Sequence, residues 1–289
     1  MGLRDILVVL DDGPASEGRL QLATKIASRQ GASLSAVFLR SDRVVPLRID
    51  NRAPHLAVTE GTSSALVAAA LWEEAMPRDD GEFLERRFHE CVRCVENGGE
   101  WYCLKRPDPA ALVNLAKAAD LVVIGQVNSY TGAVPPWYRP EEIIVNCGRP
   151  ILMIPYIGRF EDLGQRVLVA WDGSREAVRA LNDSLPVIAS ARTITLMTIR
   201  PDFRDFQSER VSMQNMRRHL ARHNVTARID ETLQGNDPVH DVLLSRSVDL
   251  AVDMIVAGAY HRSPLREALI GGVSRGLLQH MTVPVLMSH

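Results

Sequence analysis

The sequence contains the same pattern twice. In each copy, an apolar run ending in aspartate comes first. An apolar run from aspartate to glycine follows, and then a run preceded by or containing a proline. In the first and second copy these segments are 6–11 and 167–172, 120–125 and 253–258, and 149–155 and 282–288. Because the three pairs keep their order, we infer a tandem duplication, and a repeat of this length constrains the architecture more than any local motif does.

The duplication sets the expected domain boundaries. We assign the first domain to residues 1–157 and the second to 158–289, which suits a chain of 289 residues because single domains usually hold roughly 100–200 residues. The first pair of segments lies farther apart than the other two pairs. We therefore predict an insertion in the first copy, at 47–80.

Strands and helices alternate within each copy. The strands are apolar nearly throughout, which indicates burial on both faces and therefore a parallel sheet covered by helices. We predict an α/β fold with two doubly wound, parallel five-stranded sheets, one per domain, related by a pseudo-two-fold axis. In the second copy the predicted strands are 166–171, 193–199, 226–231, 254–257 and 283–288, and the predicted helices are 176–189, 209–223, 238–247 and 272–280.

The composition argues against two classes of partner. The chain is 46% hydrophobic and 24% charged, and its formal net charge is -2, so neither nucleic acid nor an anionic membrane is an expected partner. No apolar run approaches the roughly 18 to 20 residues of a membrane span, and the first residues lead into a strand rather than a signal peptide. We therefore expect a cytoplasmic location.

A glycine-containing segment follows the fourth strand of the second copy. It begins with Gly258, continues through His261, and reaches Gly271, Gly272 and Ser274 at the start of the next helix. A strand that leads through such a loop into a helix exposes backbone N–H groups to an anion. The segment therefore predicts a phosphate site, and hence a bound nucleotide.

These repeated segments and the glycine spacing resemble the universal stress protein family in its tandem form. The resemblance implies an adenine nucleotide alpha hydrolase-like fold and a pattern of Gly, two residues, Gly, nine residues, Gly and Ser or Thr. Gly258 and Gly271 keep that spacing, whereas His261 replaces the second glycine and Gly272 the hydroxyl residue. An imidazole adds bulk where glycine permits a close backbone approach, so we expect a reshaped phosphate pocket.

The resemblance also implies a set of ligand-binding residues in the second copy. Asp172 lies near the adenine and ribose in that family, although its position before Gly173 and Ser174 is equally typical of a helix cap. The resemblance implies ATP or another adenine nucleotide as the ligand, and Mg²⁺ is the expected companion of its phosphates. The expected nucleotide-binding residues are Ala170, Asp172, Thr198, Ile199, Gly258, His261, Gly271, Gly272, Val273 and Ser274.

The first copy lacks the matching loop. Gly125 is followed by a segment with prolines at 135, 136 and 140 and no second glycine pair, and proline removes N–H donors. We therefore expect that the first copy has lost the ordinary triphosphate site.

A histidine and three cysteines lie close together in the first copy. His89, Cys91, Cys94 and Cys103 are compatible in type with a tetrahedral zinc site. Their spacing is unlike that of the usual zinc motifs, and residues three apart on a helix share a face. Packing of the cysteines as small apolar residues is the favoured interpretation, with zinc binding and reversible thiol chemistry as the alternatives.

No nucleophile with a base, no carboxylate pair and no catalytic metal set stands out in the sequence. The favoured function is that of a stress-response protein whose second domain binds a nucleotide and changes conformation or partners. A slow nucleotide hydrolase or phosphotransferase is one alternative, with His261 as the obvious base. An interaction module without a nucleotide site is the other, and the sequence leaves open whether two chains form a homodimer.

Overall fold

A computed structural model describes residues 2–40, 80–104, 108–127, 137–160, 162–200, 207–259 and 272–289, without the side chains of 80 and 207–210. The insertion predicted at 47–80 therefore lies outside the described residues, apart from its last position. The first helix, Ala15–Gln30, begins directly after Pro14 and is capped at its C-terminus by Gly31, which takes the left-handed conformation (φ 60°) that glycine adopts easily.

The first half alternates strands and helices as expected. Its elements are β1 (Asp5–Asp11), α1 (Ala15–Gln30), β2 (Ser33–Leu39), α2 (Asp80–Val92), β3 (Trp101–Leu104), α3 (Pro109–Lys117), β4 (Leu121–Gly125), α4 (Pro140–Asn146) and β5 (Ile151–Ile154).

The second half repeats this order, and each predicted element is present within about two residues of its predicted ends. The elements are β6 (Arg166–Ala170), α5 (Arg175–Ile188), β7 (Thr193–Arg200), α6 (Gln207–Arg222), β8 (Ala227–Leu233), α7 (Val239–Asp249), β9 (Met254–Gly258), α8 (Gly272–His280) and β10 (Val285–Ser288).

The two five-stranded parallel sheets are present, and they join edge to edge. The strand order is β3-β2-β1-β4-β5-β10-β9-β6-β7-β8, and β5 and β10 form the antiparallel junction. Leu152 lies opposite Leu286 at the centre of this junction, and equivalent residues flank the pair on each side. The pairing of β5 with β10 is therefore symmetric about a local two-fold axis. The junction satisfies the backbone groups of two apolar strands that would otherwise be exposed sheet edges.

Helices cover both faces of the sheet. Residues of α1, α2, α5 and α6 pack on one face, and residues of α3, α4, α7 and α8 pack on the other. Each of the two apolar clusters contains residues from both halves, so the core continues across the junction. None of the described helices is long and apolar enough to cross a lipid bilayer.

Both halves contain an aspartate that fixes the start of their first strand. The Asp120 carboxylate accepts hydrogen bonds from Arg4 N at 2.8 Å and Asp5 N at 3.2 Å. In the second half, Asp253 accepts from the backbone N–H groups of residues 164–166 at 2.9 to 3.1 Å. The aspartate that begins the repeated Asp-to-Gly segment therefore stabilises the start of the first strand in both copies by accepting backbone hydrogen bonds.

Candidate functional site

The strand order of the second half creates a crevice at the carboxyl ends of β6 and β9. These strands are neighbours, but the chain proceeds from β6 to one side of the sheet and from β9 to the other. Ligands of open α/β sheets bind at such a switch point. Asp172 follows β6 and Gly258 ends β9, so the structure brings these two predicted residues to the same crevice.

Gly258 allows helix α5 to lie directly against the end of β9. A Cβ atom at this position would be 2.7 Å from Ala177 N and 2.8 Å from Glu176 C, and both are backbone atoms that cannot move aside. The glycine is therefore required for close packing of strand and helix. This requirement is additional to the phosphate contact predicted from the sequence.

The turn after β6 is fixed by its own side chains. Asp172 Oδ1 accepts a hydrogen bond from Ser174 N at 2.9 Å, and Ser174 Oγ accepts one from Ala177 N at 3.1 Å to cap α5. Gly173 completes the turn with a φ of 75°. The Asp-Gly-Ser turn therefore caps α5 as expected, with Ser174 as the cap and Asp172 as the residue that shapes the turn. Asp172 is exposed, and its Oδ2 atom has no partner among the described residues, so it remains available to a ligand.

Helix α8 begins at the opposite wall of the crevice. Gly272 and Val273 are exposed in its first turn, where the backbone N–H groups of a helix lack intrahelical partners. Ser274 is buried, and its hydroxyl lies 3.5 Å from the carbonyl oxygen of Gly258, so it links the end of β9 to α8. His261 and Gly271 lie outside the described residues.

Strand β7 supplies the other predicted residues. Ala170 lies beside Met197 in the sheet, and Thr198 and Ile199 are the next residues along β7. Ala170 and Ile199 pack on the face covered by α7 and α8, and both are partly buried. Thr198 points to the opposite face because side chains alternate along a strand, and it is buried. The structure thus brings Ala170 and Ile199 together and separates Thr198 from them.

Glu176 is a residue at this crevice that the sequence analysis missed. Its Cβ lies next to Gly258, and its carboxylate pairs with Arg175 Nε at 2.6 Å. Burial alone would raise the pKa of Glu176, but hydrogen bonds from Arg175 and the backbone, with the charges of Arg175 and His289, lower it below its usual value. Its place in the first turn of α5 was the available signal. Glu176 is therefore ionised near neutral pH.

An arginine fills the equivalent crevice of the first half. Arg19 is only 2% exposed, donates from Nε to Val9 O at 2.7 Å and forms an ion pair with Asp11 at 2.6 Å. A Cβ atom on Gly125 would lie 2.1 Å from Arg19 Nη1, so the guanidinium occupies the space above this glycine. The sequence analysis missed Arg19, although it shares a helix face with the buried residues Leu22 and Ala23.

The two halves differ in the side chain that lies in this crevice. The residue eight positions after Asp11 is Arg19, and the residue eight positions after Asp172 is Ala180, which is fully buried. Beside Arg19, the hydroxyl of Tyr138 is buried without a hydrogen-bond partner among the described residues, and burial raises its pKa well above the usual range. The first half thus places its own cation at its switch point, whereas the second half has a methyl group there.

Among the described residues, the cysteine cluster does not form a metal site. Cys91 packs partly against the apolar core, and Cys94 and Cys103 are exposed. Within the described ranges, which include His89 and these three cysteines, no three His, Cys, Asp or Glu side chains are placed to hold a metal ion. The zinc alternative is therefore not supported, because helix α2 and strand β3 do not bring the four side chains together.

Two comparisons of sequence bear on the family. The sequence model of the universal stress protein family matches residues 164–289. Comparison with curated proteins gives no match.

Solved structures extend the similarity to nearly the whole chain. A universal stress protein from Archaeoglobus fulgidus DSM 4304 is 14% identical, with a TM-score of 0.66 over 98% of this chain and 96% of that chain. A universal stress protein candidate from Pseudomonas aeruginosa UCBPP-PA14 is 17% identical, with a TM-score of 0.56 over 99% and 93% of the two chains. A functionally unknown protein from Pseudomonas aeruginosa PAO1 is 17% identical, with a TM-score of 0.55 over 99% and 92%. Residues 164–289 therefore match the universal stress protein family in sequence, and the chain as a whole has the fold of these solved structures in tandem form.

Proposed function

We propose that the second domain binds ATP or another adenine nucleotide and that the protein acts as a regulatory binding protein in a cytoplasmic stress response. The observation that carries this proposal is the start of α8, which exposes Gly272 and Val273 at the switch point between β6 and β9. Helix N-termini at such points attract phosphate through free N–H groups and the helix dipole.

The residues of the crevice divide between the two ends of the ligand. Backbone N–H groups of Gly258, Gly271, Gly272 and Val273 hold the phosphates, with Ser274 and His261 beside them. Ala170, Asp172 and Ile199 hold the nucleoside, and Ala170 and Ile199 lie on one face of the sheet. Thr198 contributes through its backbone, because its side chain is buried on the opposite face. Glu176, whose Cβ lies next to Gly258, adds negative charge at the phosphate end of the crevice, which is a reason to expect Mg²⁺ with the nucleotide.

The first domain does not contribute a second nucleotide site in this proposal. Arg19 and its partner Asp11 occupy the crevice of that domain, and the loop after Gly125 lacks the glycine pattern. We therefore expect one nucleotide per chain. The strands at the junction, β5 and β10, already pair with each other, so a homodimer has to form through other surfaces.

Gly272→Glu tests the phosphate site directly. Among the described residues, no atom lies within 4 Å of a Cβ atom placed at Gly272, so they accommodate the new side chain, which places negative charge beside the phosphates. We expect saturable binding of ATP by the natural protein in calorimetric titration, and a loss of at least about tenfold in the variant, since each 1.4 kcal/mol is tenfold in affinity.

Gly18→Glu is the matched control. Gly18 is also exposed, on a helix of the first domain, and a Cβ atom there likewise has no other atom within 4 Å. This variant is expected to bind ATP as the natural protein does. Equal affinity of all three proteins, or absence of ATP binding by the natural protein, contradicts the proposal, and the second result favours an interaction module. Recovery of ADP after incubation with Mg²⁺ favours the hydrolase.

A further inference from the structure

A second candidate site lies between the two domains. A groove of about 470 Å³ separates the α4–β5 turn of the first domain from helix α5 of the second, and none of the proposed nucleotide-binding residues lines it. Small-molecule sites commonly have volumes of about 300 to 1,000 Å³ and often form at domain interfaces. The groove is therefore large enough for a small ligand.

Two arginines from different domains meet in this groove. Arg149 belongs to the first domain, and Arg179 reaches across from α5 to donate from Nη2 to the carbonyl oxygen of Gly148 at 2.6 Å. The positive charges of both guanidinium groups lower the pKa of the Cys147 thiol, although burial has the larger effect and raises it overall. Two guanidinium groups that line one groove offer charge-assisted hydrogen bonds to an anion.

The carboxylate of Asp120 compensates Arg149 only weakly. Arg149 Nη1 is 3.7 Å from Asp120 Oδ1, whereas charged hydrogen bonds are usually about 2.7–2.9 Å long. The other oxygen of Asp120 is engaged by the backbone N–H groups that start β1. Arg149 donates from Nε to Lys117 O at 2.9 Å, which leaves further N–H donors of the guanidinium for a ligand.

Arg179 is also incompletely compensated. Its Nε atom is 3.5 Å from Asp183 Oδ2, and that oxygen is buried and accepts no hydrogen bond among the described residues. A buried carboxylate oxygen without a donor is costly. A ligand hydroxyl group placed in the groove provides the missing donor.

The arginine pair is not a requirement of the repeated fold. Arg149 precedes Pro150, and the residue before the equivalent Pro284 is Val283. Arg179 lies seven residues after Asp172, and the residue seven positions after Asp11 is Gly18. The position related by the local two-fold axis therefore has neither charge, so both arginines are specific to one side of the junction.

We propose that this groove binds a small phosphate-class anion, inorganic phosphate or a phosphate monoester, between Arg149 and Arg179. Asp183 accepts a hydrogen bond from a hydroxyl group of the ligand. Because the two arginines belong to different domains, the bound anion connects the α4–β5 turn to helix α5. The site is independent of nucleotide binding in the second domain.

The test is a titration of the full-length protein with inorganic phosphate at constant ionic strength, so that general screening does not change. Calorimetry measures affinity, and hydrogen exchange of residues 147–151 and of α5 locates the site. We expect saturable binding with added protection of both segments. Arg149→Gln and Arg179→Gln are each expected to weaken binding about tenfold or more, as loss of a charge-assisted contact does.

Arg228→Gln is the matched control, since Arg228 is exposed on β8 and its guanidinium hydrogen-bonds only Thr193 Oγ1, at 3.5 Å, among the described residues. This variant is expected to bind phosphate with unchanged affinity, and thermal melts establish that all variants are folded. Absence of saturable binding overturns the proposal. So does binding that survives both groove substitutions, because the phosphate then occupies another place, such as the start of α8.

Discussion

Replacement of Arg19 by methionine tests how the first domain closes its crevice. The change keeps the apolar stem but removes the guanidinium that pairs with Asp11 at 2.6 Å and donates to Val9 O. Because Arg19 is 2% exposed and Asp11 14%, solvent screens the pair little. Removal of one partner of a buried ion pair usually costs about 3–5 kcal/mol. We expect about 3 kcal/mol, the low end of that range, because Asp11 keeps its hydrogen bond from Gly13 N.

The assay is urea unfolding, with hydrogen exchange of β1 and β4 to show that the loss is located in the first domain. Arg87→Met is the control, because Arg87 pairs with Glu17 at 3.0 Å while both side chains are more than one third exposed. Exposed pairs contribute about 0.2–1 kcal/mol. If Arg19→Met is no more destabilising than Arg87→Met, the reasoning about the buried pair is refuted.

A double-mutant cycle separates the ion pair from simple packing. Asp11→Asn together with Arg19→Met removes both charges, so no carboxylate remains buried without its partner. We expect the double variant to be more stable than the sum of the two single losses predicts, with a coupling of about 1–3 kcal/mol. Additive losses indicate that Arg19 stabilises the domain mainly through its stem.

Three further predictions follow from other contacts. Gly258→Ala places a methyl group 2.7 Å from backbone atoms of α5 and is expected to lower the free energy of unfolding by about 1–3 kcal/mol in urea titration, whereas a neutral result contradicts the packing argument. Gln126→Leu removes the amide that donates to Leu278 O at 2.9 Å and Gln279 O at 3.0 Å, so we expect faster hydrogen exchange throughout α8, and unchanged exchange refutes this link between the domains. Burial raises the pKa of the Cys147 thiol, so we expect iodoacetamide to modify Cys147 more slowly than the exposed Cys94, which peptide mapping measures. Because the folded state favours the neutral thiol, we also expect the free energy of unfolding to fall as the pH rises above about 8.5, the usual thiol pKa. Urea unfolding at several pH values checks this second expectation.

Secondary structure was predictable because its signals are local. The apolar strands and the turn residues after them predicted all nine elements of the second half, and Ser174 caps α5 as its position before the helix indicates. The repeated order of the segments predicted the doubly wound halves. The insertion at 47–80 was inferred from spacing alone and lies almost entirely outside the described residues.

The candidate site was only partly predictable. Asp172 and Gly258 were identified because the ends of parallel strands β6 and β9 meet at one edge, which follows from topology. Glu176 was missed because its role depends on how closely α5 approaches Gly258, and that distance is set by packing. The separation of Thr198 from Ile199 follows from strand alternation and was predictable in principle.

The sequence by itself determined the duplicated α/β fold and the unequal glycine loops of the two halves. The repeated segments, the apolar periodicity and the turn residues are all recognisable from residues that are close together in the chain. Tertiary structure alone decided that β5 and β10 merge two sheets into one, and that Arg19 lies in the crevice above Gly125. Such contacts join residues far apart in the chain, and their free energy depends on burial and distance. A local pattern does not contain either quantity.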